Sequence, residues 1–141
     1  MSAADWNQTI IEEFRANGGK VGGRFEGRKL LLLHHRGART GVDRVNPLAY
    51  QDLSDGSFAV FGSRGGSPRN PDWYHNVQVN PEVTVELGTG TLQATARVAE
   101  GEERDRIWEK QKADVPGFAD YERRTERQIP VVILEPRPVP T

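Results

Sequence analysis

Two short aliphatic runs set the terms of this fold: Leu30-Leu31-Leu32-Leu33 and Val131-Val132-Ile133-Leu134. Neither could cross a bilayer, which takes about 20 apolar residues in a helix. In a strand, successive side chains point to opposite faces, so four in a row are buried only where both faces are covered. Residues 82–98 read differently. Val83, Val85 and Leu87 alternate with Glu82, Thr84 and Glu86. After Gly88-Thr89-Gly90, Leu92, Ala94, Ala96 and Val98 alternate with Gln93, Thr95 and Arg97, the pattern of a half-buried hairpin.

The remaining segments fit around these strands. Residues 3–16 are predicted as a helix with Trp6, Ile10 and Phe14 on one face, stopped by Asn17-Gly18-Gly19, with Gly22-Gly23 extending the break. Residues 45–50 form a strand in which Pro47 demands an edge or a bulge, because it cannot donate to a ladder. Residues 57–61 follow an Asp55-Gly56 turn as a third strand. A short helix over 73–79 is bounded by Pro81, and Pro116-Gly117 separates helices over 101–113 and 118–127. The last strand covers 129–134, and the proline-rich tail 135–141 runs extended or loose on the surface. About six mainly antiparallel strands with three to four helices give an α+β chain: one domain over 1–141, a small barrel with helices packed outside.

Composition narrows the function. With 35% hydrophobic residues in 141, a packed core is affordable and wholesale disorder is excluded. Net charge is −1, whereas a protein built to grip nucleic acid carries excess positive charge. There is no cysteine, which removes disulfides, thiolate catalysis, iron–sulfur clusters and zinc–cysteine sites. The start of the chain lacks an apolar signal-peptide core, and a cytoplasmic location is expected.

The familiar catalytic motifs are missing. His34, His35 and His75 are the only histidines, with no G-x-S-x-G elbow and no H-x-x-x-H metal spacing, so no metal site is expected. His34 and His35 are strand neighbours, one facing inward and one outward. What stands out is a pair of basic, glycine-rich loops: Arg36-Gly37-Ala38-Arg39-Thr40-Gly41 with Arg44 beyond it, and Ser63-Arg64-Gly65-Gly66. Residues 15–44 carry eight basic residues (15, 20, 24, 28, 29, 36, 39 and 44) against Glu26 and Asp43, a local excess of six. Guanidinium forks and glycine-exposed N–H groups suit an anion; the same residues also suit two solvated turns. Trp73 and Tyr74 lie just beyond the second loop, placed to bound a flat ring or to pack a helix; Phe118 and Tyr121 carry the same pair of readings.

Taken in order, Arg39-Thr40-Gly41, Arg44-Val45-Asn46-Pro47-Leu48, Ser63-Arg64-Gly65-Gly66, Asn70-Pro71-Asp72-Trp73-Tyr74, Asn80-Pro81-Glu82-Val83 and Arg127-Gln128-Ile129-Pro130-Val131-Val132 resemble the deazaflavin-dependent nitroreductase and quinone reductase family. The resemblance runs from about Gly19 to Pro136. It implies a split β-barrel similar to flavin-binding reductases, and coenzyme F-420, an 8-hydroxy-5-deazaflavin with a phosphate and an oligoglutamate tail. It also implies hydride transfer from the reduced coenzyme to a small-molecule acceptor such as a quinone, an enone or a nitroaromatic. By position, Arg39, Thr40, Gly41, Arg44, Ser63, Arg64, Gly65 and Gly66 would hold the coenzyme's anionic groups. Asn46, Pro47, Leu48 and Trp73 would flank its ring. Ser63 and Tyr121 would hydrogen-bond the acceptor oxygen, with Phe118 and Tyr121 lining the substrate pocket. Members that activate nitroimidazoles carry several tyrosines around 115–121; here Val115 and Phe118 stand at two such positions.

Other functions fit the same residues. The barrel could bind FMN or haem, or carry the deazaflavin without turning it over. A polyanion-binding module would use the 36–44 patch, but total charge and the scarcity of stacking aromatics speak against it. The first helix is amphipathic, yet Asp5, Glu12 and Glu13 deny it the basic face of a membrane-surface helix, so it is expected to cover the core. Monomer and homodimer are both open.

Overall fold

The computed structural model describes residues 3–22, 29–88 and 90–137. Gly23, Arg24, Glu26, Arg28, Thr89 and the end of the proline-rich tail, 138–141, lie outside the described residues, as does the Trp6 side chain. The elements in chain order are α1 (Ala3–Ala16), β1 (Leu30–Arg36), β2 (Asp43–Asp52), β3 (Phe58–Phe61), a 3-10 turn (Arg64–Gly66), α2 (Asp72–Val79), β4 (Glu82–Leu87), β5 (Gly90–Val98), α3 (Gly101–Asp114), α4 (Gly117–Arg123) and β6 (Val131–Pro136). The strands close into an antiparallel barrel in the order β1-β2-β3-β6-β5-β4.

The two aliphatic runs are buried on both faces, each for its own reason. Leu31 and Leu33 of β1 point into the barrel with Val60, Val83, Val85, Val132 and Leu134. Leu30 and Leu32 point outward, under Ile10, Ile11 and Phe14 of α1. On β6, Val132 and Leu134 face inward while Val131 and Ile133 lie beneath α3 and α4, with Ile107, Trp108 and Phe118. Each such side chain, taken out of water, is worth about 1.5–3 kcal/mol before the entropy of ordering it. The β4–β5 hairpin keeps its expected alternation: Val83, Val85, Ala94 and Ala96 are inside. One end of the barrel is filled by α2, whose Trp73 and Val77 join the interior cluster.

Several boundaries move. Strand β6 begins at Val131 rather than 129 and runs on to Pro136, which pairs with Ala94, so the tail's first residues belong to the sheet. Helix α4 ends at Arg123, short of the expected 127. Among the described residues no helix is long and apolar enough to cross a membrane.

The edge expected from Pro47 is real. Strand β2 pairs with β1 along residues 43–49, but with β3 only through Tyr50↔Val60, Gln51↔Ala59 and Asp52↔Phe58. Tyr50 N–H donates to the Lys29 carbonyl. By strand alternation the backbone groups of residues 45, 47 and 49 therefore face away from β1: the Ala49 carbonyl meets the end of β3, and the groups of residues 45 and 47 face the side without a strand. Pro47 sits where its missing N–H disrupts no ladder. The seam opens because β3 stops at Phe61. Continued register would set Ser63 opposite Pro47, but pairing with β2 ends at Val60, while Gly62 N–H donates to the Pro130 carbonyl at 2.9 Å and so carries the β3–β6 register one step further. A Cβ on Gly62 would stand 2.7 Å from Pro130 Cγ, so the close approach to Pro130 calls for glycine here.

Candidate functional site

The seam has a basic turn at one end. Gly37 N–H donates to the Val42 carbonyl and Gly41 N–H to the Gly37 carbonyl, both at 2.9 Å, closing residues 37–42 into a compact loop. Thr40 Oγ1 accepts from Val42 N–H at 3.3 Å, and Gly41 adopts φ 69°, where glycine is at ease. Gly37, Ala38, Arg39, Thr40 and Arg44 line a cavity of about 410 Å³ with Asp72, His75 and Asn76 of α2.

Behind this loop runs a buried hydrogen-bond chain. Ala38 N–H donates to Asn76 Oδ1 at 2.9 Å. The Asn76 amide nitrogen meets His35 Nδ1 at 3.1 Å, and His35 Nε2 meets Asn46 Oδ1 at 2.7 Å. His35 is 3% exposed and points inward; His34 faces outward to Glu86, as strand alternation requires. Burial is the main reason the His35 pKa lies below its ordinary 6.5; Arg44 and His34 add to that, while the bond to Asn46 and the charge of Asp72 oppose it.

The other end of the seam is the segment 63–70. Its 3-10 turn holds Arg64 at φ 46°, the one non-glycine residue with positive φ among those described. Gly66, at φ 84°, lies so close to α4 that a Cβ there would stand 2.8 Å from Arg124 Cβ and 2.9 Å from the Tyr121 carbonyl oxygen. Arg127 ties the segment together. Its guanidinium donates to the Ser67 carbonyl (3.0 Å), Asn70 Oδ1 (2.7 Å) and the Ser63 carbonyl (2.9 Å). No carboxylate pairs with it among the described residues; desolvation, then the neighbouring Arg64 charge, lowers its pKa.

Positive charge is less concentrated than residues 15–44 suggested. Arg15 pairs with Glu86, Lys29 with Asp52 and Arg36 with Asp43. Arg24 and Arg28 lie outside the described residues. Arg39, Arg44 and Arg64 have no ion-pair partner among those described, nor do Arg69, Arg106, Arg124 and Arg127; Arg39 and Arg44 stand at one end of the seam and Arg64 at the other.

The structure thus brings Arg39, Thr40 and Gly41 of the first loop together with Arg44 at the start of β2, and Ser63, Arg64, Gly65 and Gly66 lie on the second loop. Asn46, Pro47 and Leu48 lie on the β2 segment between them. Asn46 and Leu48 point inward; Leu48 packs on the interior cluster. Trp73 is 4% exposed in that cluster and edge-on to Tyr74, leaving little of its ring to meet a ligand. Phe118 is buried against Phe61, Trp108 and Tyr121, the packing alternative the sequence left open. From the 115–121 segment it is Val115 that lines a second cavity, about 330 Å³, with Ala49, Tyr50, Gln111 and others. Ser63 is 9% exposed and Tyr121 half-buried beside the 3-10 turn. Among the described residues no group of three His, Cys, Asp or Glu side chains could hold a metal ion.

Sequence reasoning gave no role at the site to His35, Asn76 and Arg127. Their partners are 11 to 64 residues away in the chain, and no local pattern marks such contacts. The one available signal was Arg127, a basic residue just before a buried strand.

Known proteins are similar to this chain over most of its length. The family model of the F420H(2)-dependent quinone reductases matches residues 6–136. An F420H(2)-dependent quinone reductase of Mycobacterium tuberculosis (strain ATCC 25618 / H37Rv) is 35% identical over 128 residues, covering 88% of this chain and 85% of that protein. A solved F420-H2 dependent reductase (FDR-A) is 40% identical with a TM-score of 0.68, covering 75% of this chain and 93% of the other. A second solved relative, described as a domain-swapped dimer, is 37% identical with a TM-score of 0.70, covering 95% and 100%.

Proposed function

This chain belongs to the F420H(2)-dependent quinone reductase family, and from that premise we propose how its residues hold the coenzyme and receive the acceptor. The protein is an oxidoreductase that uses coenzyme F-420. The observation that carries the assignment of residues is the open seam: an unpaired strand edge with unneutralised guanidinium groups at both ends.

The residues present fit the coenzyme on structural grounds. Arg39 and Arg44 offer forked donors to phosphate or carboxylate oxygens, and Thr40 adds a hydroxyl. Gly41, Gly65 and Gly66 keep both loops free of side chains that would block backbone approach. Arg64 supplies the opposite cation. Between them, the Val45 and Ala49 N–H groups and the carbonyls of residues 45 and 47 face the seam without a strand partner, which suits the hydrogen-bonding edge of a flat heterocycle. When bound, the reduced coenzyme supplies a hydride from its C5 carbon.

The chain's own work is positional and electrostatic. The closed 37–42 loop and the Arg127 clamp hold the cationic groups in place before the ligand arrives, which limits the entropy lost on binding. We assign the acceptor, a quinone or a similar activated acceptor, to the end of the seam beside Ser63 and Tyr121; the cavity of about 330 Å³ that reaches Val115 is lined by neither and carries Lys29, Asp52, Lys110 and Asp114. Ser63 and Tyr121 are candidate donors to the acceptor oxygen as negative charge develops there. The Ser63 hydroxyl has no partner among the described residues, so it is available for this. The domain-swapped relative supports a dimer for this chain as well.

The experiment is a fluorescence titration with the oxidised deazaflavin, FMN in parallel, followed by oxidation of the reduced coenzyme with a quinone, an enone and a nitroaromatic. Selective deazaflavin binding that Arg39→Ala weakens by about 1.5–3 kcal/mol, the scale of a charged hydrogen bond, is the expected result. Wild-type affinity in Arg39→Ala removes the anion assignment.

A further inference from the structure

The chain Ala38–Asn76–His35–Asn46 has a direction, and the direction can be derived. A backbone N–H can only donate, so Ala38 forces Asn76 to present its oxygen at 2.9 Å. The Asn76 amide nitrogen must then face His35 Nδ1, 3.1 Å away, so Nδ1 is the acceptor and carries no proton. A neutral imidazole has its proton on the other nitrogen, so Nε2–H donates, and Asn46 must turn its oxygen toward His35 at 2.7 Å. That leaves both protons of the Asn46 amide nitrogen without a partner among the described residues, on the β2 segment that forms the seam.

We propose that His35 and Asn76 are positioning residues that fix the polarity of the Asn46 amide. The coenzyme cleft is thereby lined at this point by an N–H donor and selects a carbonyl or anionic oxygen of the ligand. The proposal rests on the assignment of the seam as the coenzyme site. It also ties three parts of that site together: the same chain that orients Asn46 on β2 holds the Arg39 loop, through Ala38, onto α2. An amide free to flip would offer oxygen or nitrogen equally and would repel the ligand oxygen in one of its two states. Burial of His35 keeps the ring neutral, which the direction requires, because an imidazolium would present a donor to Asn76 and break the sequence at its second link.

The test combines one spectrum with one double-mutant cycle, on the full chain. Nitrogen NMR of the histidine-labelled free protein at neutral pH is expected to show His35 with a protonated Nε2 and a bare Nδ1. The reverse tautomer, or a charged ring, overturns the proposal whether or not any ligand binds. Coenzyme titrations then compare wild type, Asn46→Ala, His35→Phe and the double variant. Losing a hydrogen bond of this kind weakens binding by about fivefold to tenfold, so Asn46→Ala and His35→Phe should each show a loss on that scale. If His35 acts through Asn46, the double variant binds no worse than Asn46→Ala alone. Additive losses mean that His35 supports the fold without orienting Asn46, and overturn the proposal. Wild-type protein that binds no deazaflavin overturns the site assignment instead, and the tautomer result still decides the direction of the chain.

Discussion

Arg64→Gly should make the protein more stable and the coenzyme bind worse. Arg64 sits at φ 46° with its side chain exposed and unpaired among the described residues. Holding a residue with a Cβ in the left-handed region costs about 1–2 kcal/mol. Glycine removes that strain but gives back about 0.5–1 kcal/mol through its greater freedom in the unfolded chain. The net gain is about 0.5–1 kcal/mol, a rise in Tm of about 2–4 °C for a chain of this size. The same change deletes a charged donor worth about 1.5–3 kcal/mol to a bound anion, so the dissociation constant should rise about 10- to 150-fold. Thermal unfolding of the free protein and fluorescence titration with the oxidised deazaflavin read the two effects separately. A lower Tm would mean that the guanidinium holds the turn, so that no strain is stored there. An unchanged affinity would mean that Arg64 does not face the anion. Either result refutes the view that this backbone is held in an unfavourable state to present a cation.

Two further outcomes follow from the interactions around the seam. Arg127→Lys keeps the charge but not the fork that reaches Ser63, Ser67 and Asn70 at once; a loss of about 1–2 kcal/mol in unfolding free energy is expected, together with weaker coenzyme binding, and a variant with wild-type Tm and affinity shows that the clamp orders nothing. The His35 pKa lies below its ordinary 6.5, so between those two values the unfolded chain binds more protons than the folded one. Stability therefore rises with pH in that window: the contribution is complete above 6.5 and is lost as pH falls toward the depressed value. A plot of Tm against pH should fall on the acid side of 6.5 in wild type and flatten there in His35→Phe, and equal slopes in the two proteins contradict the burial argument.

How much of this was legible beforehand differs by residue. Residues 30–33 and 131–134 announced strands covered twice, because an unbroken aliphatic run is stable in a strand only with something on each face. In the fold, α1 covers the first and α3 and α4 cover the second. Pro47 announced an edge or a bulge, because a residue without an N–H cannot donate to a ladder, and the structure has the edge. Arg39, Thr40, Arg44 and Arg64 were visible as basic, glycine-flanked loops, and the order of the motifs pointed to a coenzyme. The seam was not visible: it exists because β3 leaves β2 after three paired residues while it stays on β6 as far as Gly62 and Pro130, 68 residues apart in the chain. The neutralisation of Arg15 and Lys29 by Glu86 and Asp52 was hidden for the same reason.

Taken alone, the sequence determined the strands, their patterns of covering and the kinds of side chain on each loop, since these follow from periodicity and from the chemistry of single residues. Tertiary structure decided which cations stay unpaired, where the barrel parts, and which way the Asn46 amide points. Each of those depends on contacts between segments distant in the chain, where closure of the barrel, and not local preference, sets the distance and the partner.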